Sequence, residues 1–315
     1  YDSFGCPTSA NNEVTISTAN CPPVDFTYNQ PLCPGDTLQL AALNSQWANY
    51  LWSGPQGFSS TIYNPSISNI SALNSGVYEL DVSFNGSSCL LSNITNSIVV
   101  NPNPVINVNN VTNVSCFGAA NGSINTSATG ANPISYAWTS GQGTANISGL
   151  APGLFSLVIT DNNGCQADTS IQITQPAVLT ASAAVTSNYN GTNISCFGAS
   201  DGTVSSTVTG GTAPYTGTGT FTVNAGNYTY TIIDANGCTA TTTITVTQPA
   251  VLTATATIIN PILCNGGQAT VQVSANGGTT PYAGTGIFNV VSGNYNYIVS
   301  DVNGCNTNVS INVPQ

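Results

Sequence analysis

The sequence predicts an all-β chain built from small antiparallel β-sandwich modules in a linear array. Three observations predict it. Short runs rich in Thr, Val, Ile and Tyr alternate with period two, as in Tyr228-Thr229-Tyr230-Thr231-Ile232 and Ile171-Gln172-Ile173, and are bounded by Gly, Asn and Pro. Long amphipathic helical patterns are missing from the sequence. One motif recurs four times: an early Cys, then Gly-x-Tyr or Gly-x-Phe, then a second Cys ten or eleven residues after the aromatic ring. The instances run from Gly76-Val77-Tyr78 to Cys89, Gly153-Leu154-Phe155 to Cys165, Gly226-Asn227-Tyr228 to Cys238 and Gly293-Asn294-Tyr295 to Cys305. Their early cysteines are Cys33, Cys116, Cys196 and Cys264. Such self-similarity marks an array, and arrays span distance and present surface.

Residues 1–22 read as the closing hairpin of a module that begins upstream, with Asp2-Ser3-Phe4-Gly5-Cys6 as its turn and Val14-Thr15-Ile16 as its last strand. Residues 23–104 form the largest module, with Trp47 and Trp52 as core aromatics and Asn101-Pro102-Asn103-Pro104 as its exit. Residues 105–176 hold a second, with Trp138. Residues 177–249 and 250–315 are near twins: Gly211-Thr212-Ala213-Pro214-Tyr215 in one is answered by Gly278-Thr279-Thr280-Pro281-Tyr282 in the other. Both are shorter where residues 105–176 carry Tyr136 to Gly149, which reads as one trimmed hairpin. The linker Gln175-Pro176-Ala177-Val178-Leu179-Thr180-Ala181 repeats as Gln248 to Ala254; without Gly, it reads as a stiff joint. The whole reads as a window of a longer exported chain.

Composition excludes much chemistry. The 315 residues contain no Lys, Arg, His or Met and 11 acidic residues, a net charge of −11. Nucleic acid and anionic lipid are therefore excluded as partners. Ser-His-Asp or Cys-His catalysis, Schiff-base chemistry and phosphate clamping all lack their residues. A non-enzymatic chain without catalytic residues or cofactors is expected. No apolar run reaches the ~18 residues of a membrane-spanning helix, so membrane insertion is not expected.

Ten cysteines recurring at matched positions point to disulfides in an oxidising, extracellular setting. No Cys-x-x-Cys occurs and His is absent, which argues against a metal site. Pairing the early Cys of each module with its late one would pin the start of a sandwich to its last hairpin. The expected bridges are Cys33–Cys89, Cys116–Cys165, Cys196–Cys238 and Cys264–Cys305, one in each module. Cys6 pairs either with Cys21 or with a cysteine upstream. In three modules the late Cys closes an Asp-x-Asn-Gly-Cys turn, where Asn and Gly tolerate the positive φ of a tight hairpin. Its aspartates, Asp161, Asp234 and Asp301, are either turn formers or weak calcium ligands, since calcium favours clustered carboxylates. Glu79 and Asp81 read as an exposed acidic strand face. Gly-x-Tyr/Phe reads as the entry to the penultimate strand of an immunoglobulin-like sandwich, with the ring packed under the connecting corner.

Val114-Ser115-Cys116-Phe117-Gly118-Ala119-Ala120-Asn121-Gly122-Ser123, followed by Pro133, Tyr136, Trp138, Asp161 to Cys165 and Thr174-Gln175-Pro176, resembles the SprB repeat of Bacteroidetes surface proteins. Ile194 to Thr203, with Asp234 to Cys238 and Thr247-Gln248-Pro249, resembles it nearly as well, and residues 250–315 are a shorter copy. Residues 23–104 resemble an Ig- or PKD-like module through Cys33-Pro34-Gly35-Asp36-Thr37, Leu51-Trp52-Ser53-Gly54-Pro55 and Ser75-Gly76-Val77-Tyr78. The resemblance implies a long cell-surface adhesin exported by type IX secretion, of the kind that serves gliding motility. It also implies O-glycosylation at Thr37, in Asp36-Thr37-Leu38. The expected partners are neighbouring modules of the same chain, surface polysaccharide, or other copies in a fibre. An adhesive stalk is the leading expectation; a filament or sheath subunit and a carbohydrate-binding array using exposed Tyr and Trp are the alternatives.

Overall fold

A computed structural model describes residues 23–43, 48–84 and 90–315. The expectations for residues 1–22, Trp47, Cys6, Cys21 and Cys89 lie outside the described residues. Two compact units contain the chain: one runs to Thr112 and includes Ser123–Ile173, the other joins Asn113–Gly122 to Thr174–Gln315.

The first unit opens with β1 (Asp25–Tyr28), β2 (Leu38–Leu43), β3 (Ala48–Gly54), β4 (Phe58–Ser60), β5 (Ser66–Ile67), β6 (Gly76–Phe84) and β7 (Leu90–Ile98). They build two antiparallel sheets, β1-β2-β5 and β4-β3-β6-β7. Period-two alternation decides what is buried: Leu38, Leu40 and Ala42 of β2, and Tyr78, Leu80 and Val82 of β6, turn to one shared core. Trp52 is fully buried there, 5.0 Å edge-on to Phe26, and its indole N–H donates to the Ile62 carbonyl at 2.9 Å. Glu79 and Asp81 of β6 are half-buried rather than openly exposed.

The same unit continues with β8 (Val105–Thr112), β9 (Gly122–Thr129), β10 (Ser135–Trp138), β11 (Asn146–Leu150), β12 (Gly153–Thr160) and β13 (Gln166–Ile173). Sheets β11-β9-β8 and β10-β12-β13 form the second sandwich. Trp138 is buried and donates its indole N–H to the Thr144 carbonyl at 2.9 Å.

In the second unit, β14 (Thr180–Val185), β15 (Gly202–Thr209), β16 (Gly219–Val223), β17 (Gly226–Ile233) and β18 (Thr239–Val246) make one sandwich. Strands β19 (Thr253–Asn260), β20 (Ala269–Asn276), β21 (Gly286–Val290), β22 (Gly293–Ser300) and β23 (Asn306–Val313) make another. Their registers coincide: Gly202↔Val223 and Gly226↔Val246 in one match Ala269↔Val290 and Gly293↔Val313 in the other. The strand that corresponds in sequence to β10 is reduced to one bridge, Thr216↔Ile233 or Ala283↔Ser300. Ile194, Val204 and Val246 centre the first core; Val271, Val273, Val299 and Val313 centre the second.

Gly-x-Tyr builds the corner of an immunoglobulin-like sandwich. The hydroxyls of Tyr78, Tyr228 and Tyr295 each donate to the carbonyl four residues upstream, on Asn74, Asn224 and Val291, at 3.0 Å. Phe155, with no hydroxyl, cannot. Replacing Tyr78 by Phe removes this bond from a fully buried ring and should cost about 1 kcal/mol, the net worth of one hydrogen bond. Hydrogen exchange of β6 and β7 would register that loss.

Candidate functional site: a disulfide clasp between successive sandwiches

Four loops share one backbone turn. They are Cys33-Pro34-Gly35, Cys116-Phe117-Gly118, Cys196-Phe197-Gly198 and Cys264-Asn265-Gly266. In each, the Cys carbonyl accepts an N–H three residues on, from Asp36 (3.1 Å), Ala119 (3.1 Å), Ala199 (3.0 Å) and Gly267 (2.9 Å). The glycine two places after the Cys has φ of +95°, +74°, +77° and +82°, a conformation that explains why Gly stands there. A glutamine fixes three of these loops. The N–H of Gly118 donates to Gln175 Oε1 at 2.9 Å and that of Gly198 to Gln248 Oε1 at 2.8 Å, while Gln315 Nε2 donates to Asn265 Oδ1. Each glutamine lies two residues past the last strand of its sandwich.

The Asp-x-Asn-Gly-Cys turn is the other half of the clasp. All three aspartates are buried, and each carboxylate is consumed by backbone N–H groups. Oδ1 of Asp234 accepts from Asn236 and Cys238, both at 2.9 Å, and Oδ2 from Thr212 at 2.9 Å. Asp301 repeats this with Asn303 (3.0 Å), Cys305 (2.9 Å) and Thr279 (2.9 Å). Asp161 does so with Asn163 (3.0 Å), Cys165 (3.0 Å) and Ala131 (3.3 Å). Burial pushes the Asp234 carboxyl up, but the N–H donors of Thr212, Cys238, Asn236 and Gly237 outweigh it and hold the carboxyl below the ordinary aspartate value. These aspartates therefore shape the turn that presents the cysteine.

The bridges join each turn to the loop of the preceding sandwich: Cys33–Cys165, Cys116–Cys238 and Cys196–Cys305. This corrects the expected pairing within modules. Cys33 is taken by Cys165 rather than Cys89; Cys116–Cys165, Cys196–Cys238 and Cys264–Cys305 are not formed, and Cys264 is a free, exposed thiol. The reason is strand length. Cys238 immediately precedes β18, whereas the Cys196 loop is held by Gln248 beyond its other end. Eight residues of strand separate them by roughly 27 Å, against the ~4.4–6.8 Å between Cα atoms that a disulfide tolerates. Cys264 and Cys305 stand in the same relation across β23, with Gln315 beside Asn265. Across the bridges the Cα atoms are 5.5, 5.8 and 5.6 Å apart.

Around the sulfurs the contacts repeat. Asn236 Nδ2 donates to the Ser115 carbonyl at 3.0 Å, and Asn303 Nδ2 to the Ser195 carbonyl at 3.3 Å. The sulfurs of Cys238 and Cys305 lie 3.5 and 3.3 Å from the same two carbonyls. A short hairpin, bridged at Tyr189↔Thr192, adds a contact to the third clasp: Asn190 Nδ2 donates to Asn303 Oδ1 at 2.6 Å. Thr37 is exposed next to the Cys33 loop, where Asp36 Oδ2 accepts the Cys33 N–H at 2.8 Å. The role of the turn asparagine was missed from sequence; its recurrence beside every late Gly-Cys was the available signal.

The model of the SprB repeat matches residues 108–143 and 188–216, which include the Cys116 and Cys196 loops. The chain carries SprB repeats. Such repeats belong to a surface-adhesin family, and the three bridges fit the oxidising, extracellular setting in which disulfides persist. The matches stop short of residues 250–315, whose strand registers nonetheless duplicate those of the second SprB-matched sandwich. No curated protein matches the chain. Among solved structures, Sidekick-1 immunoglobulin domains 1–5 align at 12% identity and TM-score 0.29, covering 92% of this chain and 80% of that one. Three N-terminal domains of the bacteriophage RB49 outer capsid protein Hoc align at 10% and 0.30, covering 92% and 98%. A C-terminal fragment of intimin aligns at 8% and 0.32, covering 55% and 69%.

Proposed function

We propose that this SprB-repeat chain is a non-enzymatic stalk segment of a long cell-surface adhesin, exported by type IX secretion and suited to gliding motility. The observation that carries the reading is the set of overlapping bridges, which tie every described sandwich to the next. An enzyme gains nothing from such a ladder; a stalk that transmits load does. Chemistry agrees, because the clasp carboxylates are occupied by backbone N–H groups. The stalk keeps a distal tip away from the cell, with neighbouring modules as its constant partners, and Thr37 offers an exposed hydroxyl for O-glycosylation. Rings of the kind a carbohydrate platform uses pack on one another here, Phe221 on Tyr230 and Phe288 on Tyr297, each at 4.8 Å.

Immunogold labelling of intact cells with antibodies to residues 177–315 tests this. Label strung along isolated thin fibres is expected. Label confined to ordered helical polymers would replace the stalk with a filament subunit, and label inside the cell would reject both.

A further inference from the structure

Cys264 has the surroundings of a clasp half. Its loop makes the same turn as the three bonded loops, with the same left-handed glycine, and like the Cys116 and Cys196 loops it has a terminal glutamine beside it, here donating to Asn265. In those three loops the cysteine is taken by the late cysteine of the following sandwich, from an Asp-x-Asn-Gly-Cys turn each time. The apolar residue beside the cysteine is also left open to solvent. The residue before Cys264 is Leu263, 88% exposed, at the position from which Ser115 and Ser195 offer carbonyls to the incoming asparagine.

We propose that the Cys264 loop is a docking site for the Asp-x-Asn-Gly-Cys turn of a further SprB-type module. That module's asparagine donates to the Leu263 carbonyl, its edge covers the leucine side chain, and its cysteine bonds Cys264. The chemistry balances through a small disulfide such as oxidised glutathione. Two protein thiols become one disulfide, and the glutathione disulfide is reduced to two thiols, which take up both protons and both electrons. The inference rests on clasp geometry alone and stands or falls apart from the adhesive reading.

The test extends the full chain by a second copy of residues 249–315 placed directly after Gln315, reproducing the Gln-Pro joint. The added copy carries Cys264→Ser, so that the only Cys264 is the original. After refolding in a glutathione redox buffer, N-ethylmaleimide and non-reduced peptide mapping report the thiols. Cys264 should change from alkylated in the parent chain to protected, in a peptide bonded to the added Cys305. Replacing Asp301 by Ala and Asn303 by Ala in the added copy should lower the yield of that bridge, which mere nearness of two thiols would not. An alkylated Cys264, or one bonded indiscriminately to other cysteines or to a second chain, overturns the proposal. An added copy that neither folds nor pairs overturns it equally, because the same residues fold and pair at their native place.

Discussion

Pulled from its two ends with the bridges intact, the chain should not extend as a string of independent sandwiches does. The covalent route of least length enters at residue 23, leaves the backbone at Cys33 for Cys165, runs to Cys196, crosses to Cys305 and exits at Gln315. Only about 54 residues lie on that route, a taut length of roughly 190 Å at ~3.5 Å per residue, against ~1,000 Å for the whole of residues 23–315. Residues 34–164 and 197–304 are sheltered from load by sulfur. Single-molecule force spectroscopy in oxidising buffer should therefore show a short, stiff tether without repeated unfolding steps. With a reductant present, each sandwich of about 70 residues should release steps of ~250 Å. Steps of that size before reduction would disprove the load path.

The same connectivity separates two roles that a disulfide can play. A bridge inside one sandwich stabilises that sandwich by restricting its unfolded chain. These bridges instead restrain one sandwich relative to the next, and each closed loop overlaps its neighbour: residues 116–165 belong to two loops, as do residues 196–238. The sandwiches must then hold on their own thin cores, and the tyrosine corners and buried turn aspartates supply part of what such cores lack.

Strands were legible in the sequence because burial on one face imposes period two: the Tyr228 to Ile232 run is β17 and the Ile171 to Ile173 run ends β13. The corner tyrosines were legible because Gly-x-Tyr carries their backbone requirement in three letters. The aspartate turns were legible too, although which N–H groups filled the second carboxylate oxygen depended on Thr212 and Thr279, far off in sequence. Cysteine pairing was not legible. Sequence nearness favoured closure within a module, yet lengthening a loop from 49 to 132 residues adds only about 0.9 kcal/mol of closure entropy. That margin is trivial beside geometry. What decides the pairing is that turn and loop cap opposite ends of one eight-residue strand, and a sequence shows the strand without showing which glutamine closes it.

Each turn aspartate gathers three backbone N–H groups that nothing else in the turn accepts from, and Asp301→Ala should show what that contributes. The carboxylate satisfies three N–H groups, those of Asn303, Cys305 and Thr279, in a site where the side chain is 6% exposed. Each buried donor left without an acceptor costs about 1–3 kcal/mol, and water can reach some of them, so a loss of about 3 kcal/mol is expected. It should appear as faster hydrogen exchange across β22 and β23 and as a lower yield of the Cys196–Cys305 bridge on oxidative refolding. Asp301→Asn keeps one acceptor oxygen and should lose less. Acid provides an independent check through Asp234, whose carboxyl is held below its ordinary value in the folded state. A depressed folded value means that the stabilisation is present in full above the unfolded value and is lost as pH falls through the folded one. Exchange protection in β17 and β18 should therefore stay level from neutral pH down into the ordinary aspartate range and fall only below it. In Asp234→Asn the acid-induced fall should shrink to the part contributed by Asp201, whose carboxyl in the same sandwich is likewise held low, against burial, by Ser195, while the neutral-pH protection drops; a variant that kept wild-type behaviour at both ends would show that the turn holds its cysteine by some other means.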